Sequence, residues 1–138
     1  MKKKFSTLGR VYRFSSAHRL HSNQLSDEEN QAIYGKCNNL HGHGHNYIVE
    51  VTVLGPIDPL KGTICQRQEI DKTVEGVLEP LHMSHLDHQI PYFHQTPSTG
   101  ENILEYLWES LDTAFKGVRL WNLRLWETRN NYFERTRD

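Results

Sequence analysis

The sequence predicts an α+β domain: an antiparallel sheet with helices on one face. Three observations carry that expectation. Two alternating stretches lie in the first half of the chain, two stretches of helical periodicity lie in the second, and two further alternating stretches close it. The 138 residues are enough to bury one core and are read as a single domain over 1–138, with 1–8 as a flexible N-terminus.

Residues 9–18, GRVYRFSSAH, form the first expected strand, with Tyr12, Phe14, Ser16 and His18 on one side. A short helix follows in LSDEENQAIY, because Ser26 and Glu29 have the spacing of a capping box and Gly35 supplies a stop. The second strand spans about 43–54. Tyr47, Val49, Val51 and Val53 take its odd positions, and Asn46, Ile48, Glu50 and Thr52 its even ones. Glycine and proline mark 55–62 as a turn, and Thr63–Gln66 suits a short strand. Ile70, Val74, Val77, Leu78 and Leu81 recur at helical spacing, with Gly76 weakening that helix and Pro80 near its end. LHMSHLDHQIPYF, 81–93, is irregular. Ser98 and Glu101 repeat the capping-box spacing before a second long helix, whose apolar stripe is Ile103, Leu104, Leu107, Trp108, Leu111 and Phe115. VRLWNLRLWE, 118–127, is a strand with Trp121, Leu123, Leu125 and Glu127 on one face, and 131–135 provides the last strand.

Composition removes several function classes. A net charge of −1 gives no electrostatic basis for binding nucleic acid or an anionic membrane. No apolar run approaches the roughly 20 residues of a membrane span. The two cysteines, Cys37 and Cys65, do not make a disulfide framework, which points to a reducing, cytoplasmic setting.

The chemistry concentrates in CNNLHGHGHNY, 37–47. Strand alternation puts His43 and His45 on the face of the valines, at the strand's start. Two imidazoles on one face suit a metal such as zinc, which accepts neutral imidazole nitrogen, but two ligands are too few. His18 is the natural third: it ends one strand where His43 begins another, so antiparallel pairing brings them together. Three histidines with an open fourth position describe a catalytic zinc site. Cys37 is a candidate nucleophile or base whose thiolate a nearby dication would stabilise. Glu127 ends an apolar strand face, where a carboxylate can accept two parallel N–H bonds from a polar heterocycle. Asp87 beside His88 is a candidate proton-shuttling pair.

These residues resemble the 6-pyruvoyl-tetrahydropterin synthase family. The carriers are FSSAHRL (14–20), LSDEEN (25–30), GKCNN (35–39), GHGHNY (42–47), IPYF (90–93), STGEN (98–102) and ETRNN (127–131). Cys37 stands six residues before His43, a spacing of the animal-type branch, whereas the bacterial branch has four. The resemblance implies a T-fold with two long helices on one face of the sheet. It implies three subunits joined into a β-barrel and two trimers stacked as a hexamer, with active sites at subunit interfaces. The implied reaction converts 7,8-dihydroneopterin triphosphate to 6-pyruvoyl-tetrahydropterin and triphosphate, on the route to tetrahydrobiopterin. The resemblance assigns zinc to His18, His43 and His45, with His41 incidental and magnesium assisting the triphosphate. It makes Cys37, Asp87 and His88 the proton-handling residues and Glu127 the pterin anchor, helped by Ser98, Thr99 and Glu101.

The chain departs from the family pattern in two places. GTICQRQEIDK (62–72) has Gln66 where Asn or Asp is usual and Arg67 where an apolar residue is usual. The family's Asp-His pair follows a Pro-Leu. Here a match by motif gives Asp87-His88, and a match without gaps gives His82-Met83, in which methionine carries no proton. Two other readings therefore stand beside the synthase. One is a related lyase of the 6-carboxy-tetrahydropterin synthase type; the other is a catalytically weak or silent paralogue that binds zinc and pterin.

Overall fold

A computed structural model describes residues 2–138 as five strands and four helices. In chain order they are β1 (Phe5–His18), α1 (Asp27–Tyr34), β2 (His43–Pro56), α2 (Arg67–Leu78), β3 (Ser84–His85), α3 (Leu86–Gln89), α4 (Gly100–Ala114), β4 (Arg119–Thr128) and β5 (Asn131–Thr136). Single 3-10 turns lie at Gly35–Asn38 and Pro91–His94. The sheet order is β3-β1-β2-β4-β5.

The β1–β2 pair is the spine. It runs antiparallel in unbroken register from Phe5↔Pro56 to His18↔His43. β1 therefore starts at Phe5, and residues 5–8 belong to the sheet rather than to a free N-terminus. Tyr12, Phe14, Tyr47, Val49, Val51 and Val53 are buried on one face, where they meet Ile70, Val74 and Leu78 of α2 and Ile103, Leu107 and Leu111 of α4. Both long helices thus cover the same face, as the periodicities predict.

The sheet is mixed, not wholly antiparallel: β3 pairs parallel with β1 through Ser16↔Ser84 and Ala17↔His85. Two residues carry too little pattern to be seen in a sequence. The strand expected at Thr63–Gln66 is absent. That segment closes on itself instead, with Asp58 N–H donating to Thr63 C=O and the Asp58 carboxylate accepting from the N–H groups of Leu60 and Lys61. α2 stops at Leu78, so Leu81 is buried beyond the helix rather than on it.

α1 has the expected capping box, with Ser26 and Glu29 exchanging hydrogen bonds. α4 does not. Its cap is Thr99, whose side chain accepts from Asn102 N–H, because the Ser98 hydroxyl is engaged by Asp87. In β4 the register against β2 shifts between Asn122 and Leu120. This bulge puts Leu120, rather than Trp121, on the core face with Leu123 and Leu125.

Candidate metal centre and its surroundings

The β1–β2 register sets the centre. His18 lies directly across from His43, and Ser16 from His45, all on the core face. The ring centroids are 4.8 Å apart for His18–His43, 5.1 Å for His18–His45 and 4.7 Å for His43–His45. One ligand nitrogen from each lies within 4.8 Å of the others. Beneath them Tyr47 stacks on Phe14 at 4.7 Å, which fixes the floor.

The donor set fits a cation. His18 Nε2, His43 Nδ1 and His45 Nε2 are all buried without a hydrogen-bond partner. Buried polar atoms left unpaired cost free energy, and three facing one another call for a shared acceptor of lone pairs. His18 Nδ1 lies 2.8 Å from Ser98 C=O. A carbonyl only accepts, so Nδ1 carries the proton and Nε2 presents its lone pair. Burial pushes the pKa of His18 down; the Ser98 carbonyl and Glu127 act against it, while His43 and His45 add to it. Burial likewise lowers His45, opposed by Glu127. Both therefore favour the neutral, metal-binding form.

His41 lies outside β2, exposed in the turn before it. Cys37 is half-buried in the 3-10 turn after α1. That turn is fastened to the chain just past His18: Cys37 C=O accepts from Leu20 N–H, Asn38 C=O from Arg19 Nε, and Asn38 Nδ2 donates to Leu20 C=O. Glu127 is half-buried where the β4–β5 register skips a residue. Continuing the Ile48↔Trp126 pairing by one step brings it beside Tyr47. Burial first, and then the charges of Glu127, Asp87 and Cys37, raise the Tyr47 pKa. The Tyr47 hydroxyl is itself buried and unpaired. A tyrosine in a strand stripe reads as core, so the sequence alone does not mark Tyr47.

Asp87 lies in the first turn of α3, and its carboxylate accepts from Arg19 N–H and from the Ser98 hydroxyl. Among the described residues, the imidazole within salt-bridge range of it is His85, at 3.9 Å, and not His88. His88 is exposed and stacks on His85 at 4.1 Å. Thr99 is half-buried at the cap of α4, and Glu101 is exposed in its first turn. His82 and Met83 are tied to the β1 edge: His82 Nδ1 accepts from Ser15 N–H, and Met83 N–H donates to Ser15 C=O. Met83 adopts a left-handed φ of 58° and is 78% exposed. It lines a cavity of about 510 Å³ together with Ser16, Gly44, His45, His85 and Gln89.

Gly42 makes the turn into the centre. Its φ is 76°, and a Cβ there would sit 2.8 Å from the His18 carbonyl oxygen. Gly42→Ala is expected to cost about 1–3 kcal/mol from the left-handed backbone alone. Thermal or denaturant unfolding of the metal-free protein measures it; an unchanged midpoint would contradict the close approach.

Known proteins resemble this chain along most of its length. Residues 7–138 match the family model described as 6-pyruvoyl tetrahydropterin synthase. The 6-pyruvoyl tetrahydrobiopterin synthase of Poecilia reticulata is 47% identical over 123 residues, covering 88% of this chain and 84% of that one. The human enzyme of the same name is 44% identical over 119 residues, covering 86% and 82%. The structure of the Caenorhabditis elegans 6-pyruvoyl tetrahydropterin synthase superposes with a TM-score of 0.94 at 37% identity, covering 100% of both chains. No helix among the described residues is long and apolar enough to cross a membrane.

Proposed function

The chain belongs to the 6-pyruvoyl tetrahydropterin synthase family, and we propose that it is a zinc-dependent lyase converting 7,8-dihydroneopterin triphosphate to 6-pyruvoyl-tetrahydropterin and triphosphate. The observation that carries this reading is the trio of buried, unpaired nitrogens on His18, His43 and His45.

When bound, zinc supplies Lewis-acid chemistry, acidifying a neighbouring hydroxyl and polarising a developing carbonyl. The chain's own residues do the rest. Cys37, as thiolate, takes protons from the substrate's side-chain carbons and returns them. Glu127 accepts two N–H bonds from the pterin ring and so orients it toward the histidines. The Thr99 hydroxyl, which accepts at the helix cap, still has its own proton to donate to the ligand. Glu101, in the first turn of the same helix, is a further polar contact. His88, exposed on the stack with His85, is the proposed outlet of protons to solvent. Magnesium accompanies the triphosphate. The working assembly is a hexamer, two stacked trimers with sheets joined into a barrel, in a reducing cytoplasm where Cys37 and Cys65 stay free.

Incubation with 7,8-dihydroneopterin triphosphate, zinc and magnesium tests the reading, with triphosphate and the pterin product both identified. Triphosphate release with a pyruvoyl product is expected. A carboxy-tetrahydropterin product, or bound pterin without release, would contradict it.

A further inference from the structure

Asp87 makes two hydrogen bonds to the chain, and both lead to His18. One carboxylate oxygen, Oδ2, accepts from the N–H of Arg19, the residue next to His18. The other, Oδ1, accepts from the Ser98 hydroxyl, and the Ser98 carbonyl in turn accepts from His18 Nδ1 at 2.8 Å. One carboxylate therefore holds the backbone beside the ligand and, through a single residue, the ligand's ring. The chain of contacts is well shielded: His18 is 1% exposed, Ser98 0% and the Asp87 side chain 20%.

We propose that Asp87 is a positioning residue of the metal centre, acting through Ser98 to fix the tautomer and ring plane of His18. This rests on the reading that His18, His43 and His45 hold zinc. The His18 ring needs an acceptor on Nδ1 for Nε2 to face its two companions, and the acceptor is a peptide carbonyl at the entry to α4. That peptide stays in place because the Ser98 hydroxyl is bound to Asp87 instead of capping the helix. Without the carboxylate, the buried Ser98 hydroxyl and the Arg19 N–H both lose their partner, and the carbonyl is free to turn from His18. Loss of an outer-shell partner of this kind weakens metal binding by about 10–100-fold. A proton-relay role for Asp87 through His88 makes a different demand. It needs contact with His88, whereas the carboxylate's hydrogen bonds go to residues 19 and 98 and the imidazole in salt-bridge range is His85.

The two roles separate on zinc affinity. The test is zinc dissociation measured by competition with a chromophoric chelator on the whole protein, for wild type, Asp87→Ala and Asp87→Asn. Cobalt-substituted absorption spectra serve as a second readout of His18 geometry. Asp87→Ala is expected to bind zinc about 10–100-fold more weakly, with an altered cobalt spectrum. Asp87→Asn is expected to restore both: its carbonyl oxygen accepts from Arg19 N–H and its amide donates to a rotated Ser98 hydroxyl. Affinity in Asp87→Ala equal to wild type, or an Asp87→Asn as damaged as Asp87→Ala, would overturn the proposal. If Asp87→Ala does not fold, Ser98→Ala carries the test, since it removes the hydroxyl link and keeps the carbonyl; unchanged zinc affinity there would also overturn it. A wild-type protein that binds no zinc would instead overturn the reading of the three histidines, so the two failures are distinguishable.

Discussion

His43→Ala is expected to give a folded protein that no longer retains zinc and no longer releases triphosphate. His43 opens β2 directly across from His18, and its Nδ1 is buried without a partner. Its removal leaves His18 and His45, and two imidazoles do not make a zinc site. The loss of affinity is expected to exceed the ~10–100-fold of an outer-shell defect. The fold survives because the β1–β2 ladder is built from backbone groups and the core lies further along the strands, from Tyr47 inward. Elemental analysis of dialysed protein, with far-ultraviolet circular dichroism as a control for folding, measures the effect. Stoichiometric zinc in the variant would remove His43 from the centre.

Cys37→Ala is expected to keep zinc and lose turnover by about 10²–10⁴-fold, the usual contribution of a general acid or base. The thiol is half-buried on a turn that is pinned to residues 19 and 20, beside His18. Three histidine nitrogens already complete the protein's share of a catalytic zinc site, which leaves the sulfur free for protons. Zinc content and single-turnover triphosphate release separate the two roles. Loss of zinc in Cys37→Ala would make the cysteine a ligand instead.

Most of this centre was legible in the sequence because β-strands have a period of two. Alternation alone put His43 and His45 on the valine face, and antiparallel pairing alone brought His18 to them. The local capping signal at Ser26 and Glu29 was equally direct. The same signal misled at Ser98, where a tertiary partner 11 residues away, Asp87, outcompetes the helix cap. The extra residue of the β4 bulge likewise moved Trp121 off a face that strict alternation gave it. Asp87 was found as a titratable residue beside a histidine, but its partners, Arg19 and Ser98, lie 68 and 11 residues away in the chain. No spacing rule reaches such contacts. Tyr47 was hidden for a different reason: only the unpaired hydroxyl, not the residue type, distinguishes it from ordinary core.

In the proposed enzyme His18, His43 and His45, and not Cys37, bind the metal. X-ray absorption at the zinc edge of the wild-type protein, as purified, tests it directly. A coordination sphere of nitrogen and oxygen at about 2.0–2.1 Å is expected, with the multiple-scattering pattern of three imidazoles. A sulfur contribution at about 2.3 Å, or fewer than three imidazoles, would contradict it.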